Sequence, residues 1–141
     1  MKIEKLMVKD VVTVSSNNLL HESVKLMNKN RIGCLLVVDH DEVTGILTER
    51  DILERLVEKG KNPKETKVSE IMTKHVIFGN PDMELVDATR LMFENKVKKL
   101  PIRDGGQLVG LVTLTDIARV TSVDKETMEL LEKLSNMHLT G

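Results

Sequence analysis

An α/β (α+β) fold of two tandem β-α-β-β-α repeats is predicted by three observations: an ungapped internal repeat, a matching order of elements in each copy, and a core composition that is aliphatic and methionine-based. Met7-Val-Lys-Asp-Val11 lies over Met72-Thr-Lys-His-Val76, and the register then holds to Asp51-Ile52 over Asp116-Ile117, an offset of 65 residues. Between those ends Leu20 meets Leu85, Leu26-Met27 meets Leu91-Met92, Asn30 meets Asn95, Leu35 meets Leu100 and Asp39 meets Asp104. Self-similarity at a fixed period of this size marks a repeat architecture in which one copy cannot bury its own apolar face. The two copies are therefore expected to pack as a pseudo-twofold pair.

Each copy opens with a short apolar strand, Val11 to Val14 or Val76 to Phe78, and a polar stretch suited to capping a helix, Ser15 to Asn18 or Gly79 to Asp82. Leu20, Val24 and Met27, and in the second copy Leu85, Ala88, Leu91 and Met92, then recur at helical spacing, with Asn30 and Asn95 ending the helices. Cys34 to Val38 and Leu100 to Ile102 read as strands. Each is followed by a turn (Asp39 to Glu42; Asp104 to Gly106) and a second apolar run (Val43 to Leu47; Leu108 to Val112), so each copy contains a hairpin. A second helix starts near Asp51 or Asp116. The domain boundaries expected from this pattern are 1–60 and 61–124, joined by a polar linker over about 58–67. A C-terminal amphipathic helix over 125–141 places Leu130, Leu131, Leu134 and Met137, with Val123 ahead of it, at near-helical spacing, to cover the module or meet a partner.

Composition excludes several function classes. Of the 141 residues 30% are charged, yet the formal net charge is −1, so no strong field draws the chain to nucleic acid. Phe78 and Phe93 are the only aromatics, which removes base-stacking platforms. Cys34 is the single cysteine, incompatible with a disulfide framework or a cysteine-rich zinc site. Met1 to Met7 meets charged residues too early for a signal peptide, and no apolar run approaches the roughly 18 residues of a membrane span. A cytoplasmic location without membrane association is expected. His21, His40, His75 and His138 have no ligand spacing with one another or with Cys34, so a metal site is not expected. Cys34 opens an apolar strand with no base beside it, and neither a GxSxG elbow nor a Walker loop is present. No enzyme activity is expected.

The one motif with ligand chemistry occurs twice, where a strand runs into a helix: Gly45-Ile-Leu-Thr48-Glu-Arg-Asp51-Ile and Gly110-Leu-Val-Thr113-Leu-Thr-Asp116-Ile. A carboxylate accepts from two vicinal hydroxyls at once, and a threonine three residues earlier suits ribose or phosphate. The same Thr-x-x-Asp spacing is also a capping box, in which each side chain satisfies the other's backbone amide and binds nothing. Both readings stay open on the sequence.

These phrases resemble the nucleotide-binding signature of cystathionine β-synthase (CBS) domains, and the resemblance spans most of residues 7 to 121. It implies a CBS domain pair, or Bateman module, that acts as a regulatory sensor without a catalytic cofactor. Its ligand would be AMP, ADP, ATP or S-adenosylmethionine, bound in the cleft between repeats with the motif aspartate on the ribose hydroxyls. Carried over by position, the site of Asp116 uses Thr113, Thr115 and Lys99, with adenine near Val12, Ile32 and Gly33. The site of Asp51 uses Thr48, Arg50 and the Cys34 backbone, with Ile77, Val97 and Lys98 opposite. Where the family often has His or Arg just before the second strand, this chain has Lys98-Lys99 in one copy and Gly33-Cys34 in the other. Arg31 and Lys96 are aligned helix-end cations with a structural role. The resemblance further implies a homodimer and a regulated protein partner. The alternative is an interaction scaffold of the same fold in which both Thr-Asp pairs act only as caps.

Overall fold

The computed structural model describes residues 1–120 and 124–137. Val123 and His138, which the sequence singled out, lie outside them. The chain forms two compact units of mixed α/β structure: Val11–Val76, and Met1–Asp10 together with Ile77–Gly141. Met1–Asp10 thus precedes the first copy in sequence and completes the second, while the equivalent segment around Thr66 to Val76 completes the first.

The first unit contains β1 (Thr13–Val14), α1 (Leu20–Asn30), β2 (Cys34–Asp39), β3 (Glu42–Thr48), α2 (Glu49–Asp51), a π-helical run (Ile52–Val57) and α3 (Val68–Ile71). β1 runs parallel to β2, and β2 pairs antiparallel with β3 with a bulge at Val37/Val38. Leu20, Met27, Leu35, Val37, Leu47, Leu56, Val68 and Ile71 form its core. Val24, expected on the buried face of α1, is only partly buried, while Ser23 beside it is fully so.

The second unit contains α4 (Leu85–Asn95), β4 (Lys99–Asp104), β5 (Gln107–Thr113), α5 (Leu114–Ala118) and α6 (Lys125–Asn136). Its sheet is the antiparallel β4–β5 pair, with the bulge again at the matching step, Ile102/Arg103. Leu85, Ala88, Met92, Leu100, Ile102, Val112 and Ile117 form the core, joined by Ile3 and by Leu131 and Leu134 of α6, so the C-terminal helix covers its own unit.

α1 and α4 end at Asn30 and Asn95, whose side-chain amides each donate 2.8 Å to the carbonyl four residues back. Arg31 and Lys96 follow in left-handed conformation, with φ of 53° and 55°, as residues that stop the helix. The two hairpins turn on paired positive-φ residues, His40-Asp41 in one copy and Gly105-Gly106 in the other, a backbone that glycine adopts without strain.

Two expectations are corrected. Neither Ser15 to Asn18 nor Gly79 to Asp82 caps its helix: the N-caps, Leu19 of α1 and Glu84 of α4, make no side-chain capping bond. The first amides of α1 go instead to backbone carbonyls: Leu20 N to Thr66 O at 2.8 Å and His21 N to Pro63 O at 3.0 Å. The serines turn toward Asp39, with Ser15 Oγ and Ser16 N both 3.0 Å from Asp39 Oδ1. Val76 to Phe78 forms no strand either. In the first copy Leu36 N donates to Val12 O at 3.3 Å, whereas the matching donor position in the second is Pro101, which has no N–H. A single bridge, Gly79 to Ile102, is what remains of the pairing.

Candidate functional site

Both Thr-x-x-Asp phrases sit where the second hairpin strand enters a short helix, and both form complete capping boxes. Thr48 Oγ1 accepts from Asp51 N at 3.2 Å, while Thr48 N and Oγ1 donate to Asp51 Oδ2 at 3.0 and 3.1 Å. At the second junction Thr113 Oγ1 accepts from Asp116 N at 3.2 Å, and Thr113 N and Oγ1 each lie 2.9 Å from Asp116 Oδ2. One carboxylate oxygen is consumed at each junction, and the chemistry open to the site depends on the other.

The motif glycines have a packing role. A Cβ on Gly45 would lie 2.6 Å from Met72 Sδ and 2.9 Å from the Thr73 carbonyl, and one on Gly110 would lie 2.5 Å from Met7 Sδ. Each glycine therefore lets a methionine-bearing segment lie flat on its strand. Ile46 and Thr73 then exchange two backbone hydrogen bonds of 2.9 Å, as do Leu111 and Val8. Through this docking Thr73 reaches the first junction and Val8 takes the equivalent place at the second.

The consequence differs between copies. Asp51, 2% exposed, has its Oδ1 engaged by Thr73 Oγ1 at 2.9 Å and faced by Arg55 Nη1 at 3.8 Å. Arg55 Nη1 also donates 3.0 Å bonds to the Ile71 and Met72 carbonyls. Asp116 is only partly buried, and among the described residues none bonds its Oδ1. Thr73 is replaced there by Val8 and Arg55 by Val120. Neither Thr73 nor Arg55 was among the candidates read from sequence. The spacing of Arg55 four residues after Asp51 is a visible helical ion-pair signal, but Thr73 arrives only through tertiary docking.

Within the second unit, Lys99 is the cross-strand partner of Thr113, so their side chains share a face, and the Lys98 carbonyl accepts from Leu114 N at 2.8 Å. Lys99, Thr113 and Asp116 are thereby brought to one strand–helix junction, with Thr115 exposed beside them. Ile77 and Val97 are partly buried against that unit's core. In the first unit the cross-strand partner of Thr48 is the buried Cys34, and the Gly33 carbonyl accepts from Glu49 N at 3.1 Å. Glu49 folds back over Gly33, where an added Cβ would meet its Oε1 at 2.7 Å. Val12 and Ile32 pack on the core, and exposed Arg50 faces Glu54 at 3.9 Å. Among the described residues no three His, Cys, Asp or Glu side chains are grouped to hold a metal ion, and no helix is long and apolar enough to cross a membrane.

Comparison with known proteins agrees with this organisation. The CBS domain family model matches twice, over residues 3–58 and 68–122. The CBS domain-containing protein YhcV of Bacillus subtilis is 35% identical over 133 residues, which cover 94% of each chain. A conserved CBS domain protein of Thermoplasma acidophilum superposes with a TM-score of 0.83 at 29% identity, over 99% of this chain and 79% of that one. A structure described as a putative signal-transduction protein with CBS domains, from Burkholderia ambifaria, gives 0.80 at 34% identity over 84% and 92%. Two family matches, each on one copy of the repeat, show that the chain belongs to the CBS domain family and carries a tandem pair of its domains.

Proposed function

We propose that the chain is a regulatory ligand sensor that binds an adenosine-containing molecule (AMP, ADP, ATP or S-adenosylmethionine), performs no chemistry on it, and acts on a protein partner. The observation that carries this proposal is the second junction, where Thr113 fixes one oxygen of Asp116 and the chain leaves the other without a bond from any described residue. A carboxylate aimed in this way accepts from a ribose hydroxyl, and Lys99, on the same face as Thr113, adds a cation for a phosphate or carboxylate. Thr115, exposed one residue before Asp116, supplies a further hydroxyl.

A scaffold that binds no ligand is the second reading, favoured by the fact that both capping boxes are closed on themselves. The measurement that separates the two is thermal unfolding with each of the four ligands. A ligand at about 100 times its dissociation constant raises stability by roughly 2.7 kcal/mol, a shift of several degrees at this size. The sensor gives a shift with adenosine compounds that Asp116→Ala abolishes. The scaffold gives no shift with any of them.

The proposal includes self-association as a homodimer. Leu53 and Val57 are 53% and 62% exposed on the π-helical run, beside a groove of about 280 Å³ in which Val24, Met27, Ile32, Ile52 and Leu53 are joined by the polar Asn28 and Glu49. Apolar surface of this kind suits a second copy. Light scattering that finds only monomer at tens of micromolar would remove this part.

A further inference from the structure

We infer that the two motif aspartates have divergent roles: Asp51 is a structural clasp closed to ligand, and recognition of a ribose diol is confined to Asp116, giving one site per chain. This rests on the proposed function and assigns its ligand chemistry to one copy of the repeat.

The inference follows from pairing the two junctions residue by residue. Their capping boxes agree to within 0.2 Å in every bond, so the main chain offers the same platform twice. The difference lies wholly in what reaches the second carboxylate oxygen. At Asp51 it is a threonine hydroxyl at 2.9 Å, on a segment that Arg55 ties down through two carbonyls, with the Arg55 charge 3.8 Å from the carboxylate. A ribose hydroxyl would have to displace Thr73 from a carboxylate that is 2% exposed, breaking one internal hydrogen bond for each bond gained. At Asp116 the equivalent residues are Val8 and Val120, whose side chains donate nothing. A hydroxyl arriving there breaks no internal bond. Lys99 stands opposite Thr113, whereas Thr48 is paired with Cys34, and the Glu49 carboxylate beside Gly33 opposes an anionic ligand.

Isothermal titration of the whole chain with AMP and ATP tests this, alongside melting curves of the same variants. The expected result is one ligand per chain, with binding lost in Asp116→Asn and kept within about threefold in Asp51→Asn. Asp51→Asn should lower the melting temperature by roughly 5 °C and Asp116→Asn by clearly less. Val8→Thr gives Asp116 the donor that Asp51 already has, so affinity should fall about tenfold while the melting temperature holds or rises. Two ligands per chain, or a folded Asp51→Asn protein that has lost binding, overturns the inference. If Asp51→Asn does not fold, Thr73→Val takes its place: it should melt earlier with unchanged affinity, and a changed affinity counts against the clasp. If no adenosine compound binds the wild-type chain, the proposed function fails. The clasp is then judged by melting alone, and equal losses in Asp51→Asn and Asp116→Asn overturn it.

Discussion

The first copy of the repeat brings tertiary donors to the carboxylates of Asp51 and Asp39 that, among the described residues, the second copy does not bring to Asp116 and Asp104. Asp51 has Thr73 and Arg55, and its counterpart Asp116 has Val8 and Val120. Asp39 holds Ser15, Ser16 and Thr44, while the exposed Asp104 has Asn80, Pro81 and Val109 at the matching positions. Pro81, Val109, Val8 and Val120 lack the N–H, hydroxyls and guanidinium that the first copy uses at those positions, and Asn80 alone keeps a side-chain donor. Because the backbone platforms coincide, the comparison isolates the side chains: identical capping boxes become a closed structural joint in one unit and a junction with acceptor capacity to spare in the other.

The largest expected effect comes from breaking the closed joint. Asp51→Ala removes a cap and leaves Thr73 and the Arg55 charge without their partner, a loss of about 3 kcal/mol by denaturant titration, against about 1 kcal/mol for Asp116→Ala, which loses a cap alone. A double-mutant cycle sharpens the contrast. Asp51→Ala and Thr73→Val should couple by about 1 kcal/mol, and Asp116→Ala with Val8→Ala should be additive. Coupling in the second pair, or additivity in the first, would remove the distinction between the copies.

The repeat, the element order apart from the first strand of the second copy, the helix ends at Asn30 and Asn95 and both hairpins were legible in the sequence because each depends on local spacing and turn chemistry. The Thr-Asp junctions were legible as a choice between cap and ligand site. What tips that choice was not, because Thr73 lies 22 residues from Asp51 and Val8 lies in a segment that precedes the other copy. The expected capping by Ser15 to Asn18 failed for a related reason: the backbone carbonyls of Thr66 and Pro63, far along the chain, accept from the first amides of α1, at Leu20 and His21. Tertiary partners at that separation leave no periodic trace.

Acid tests the donors that surround Asp39 in the first copy. The hydroxyl of Thr44, 2.7 Å from Asp39 Oδ2, and then the Ser16 amide hold the Asp39 carboxyl at about 2, below its ordinary 3.8. The folded state therefore binds its proton later than the unfolded chain does. The stabilisation is fully present above about pH 4–5 and is lost as pH falls toward 2. Thr44→Val should cost about 1 kcal/mol at pH 6 and progressively less as pH falls through that window, read as urea midpoints at several pH values. A deficit that stays constant down to pH 2 would show that Thr44 stabilises by packing alone.

The smallest effect concerns the strand that the second copy lacks. If Pro101 alone prevents Ile77 from pairing as Val12 does, then Pro101→Leu restores the donor that Leu36 supplies in the first copy, at a buried position whose counterpart already holds leucine. A regained edge hydrogen bond is worth about 1 kcal/mol, and the loss of proline's restriction on the unfolded chain offsets part of it, so global stability should barely move. Hydrogen exchange reads the bond itself. The new amide at residue 101 should be protected to the same degree as that of Leu36, and the Gly79 amide, which already donates to the residue 101 carbonyl at 2.9 Å, should exchange no faster than before. Rapid exchange at residue 101 would mean that the side chains around Ile77, rather than the missing N–H, keep the second sheet at two strands.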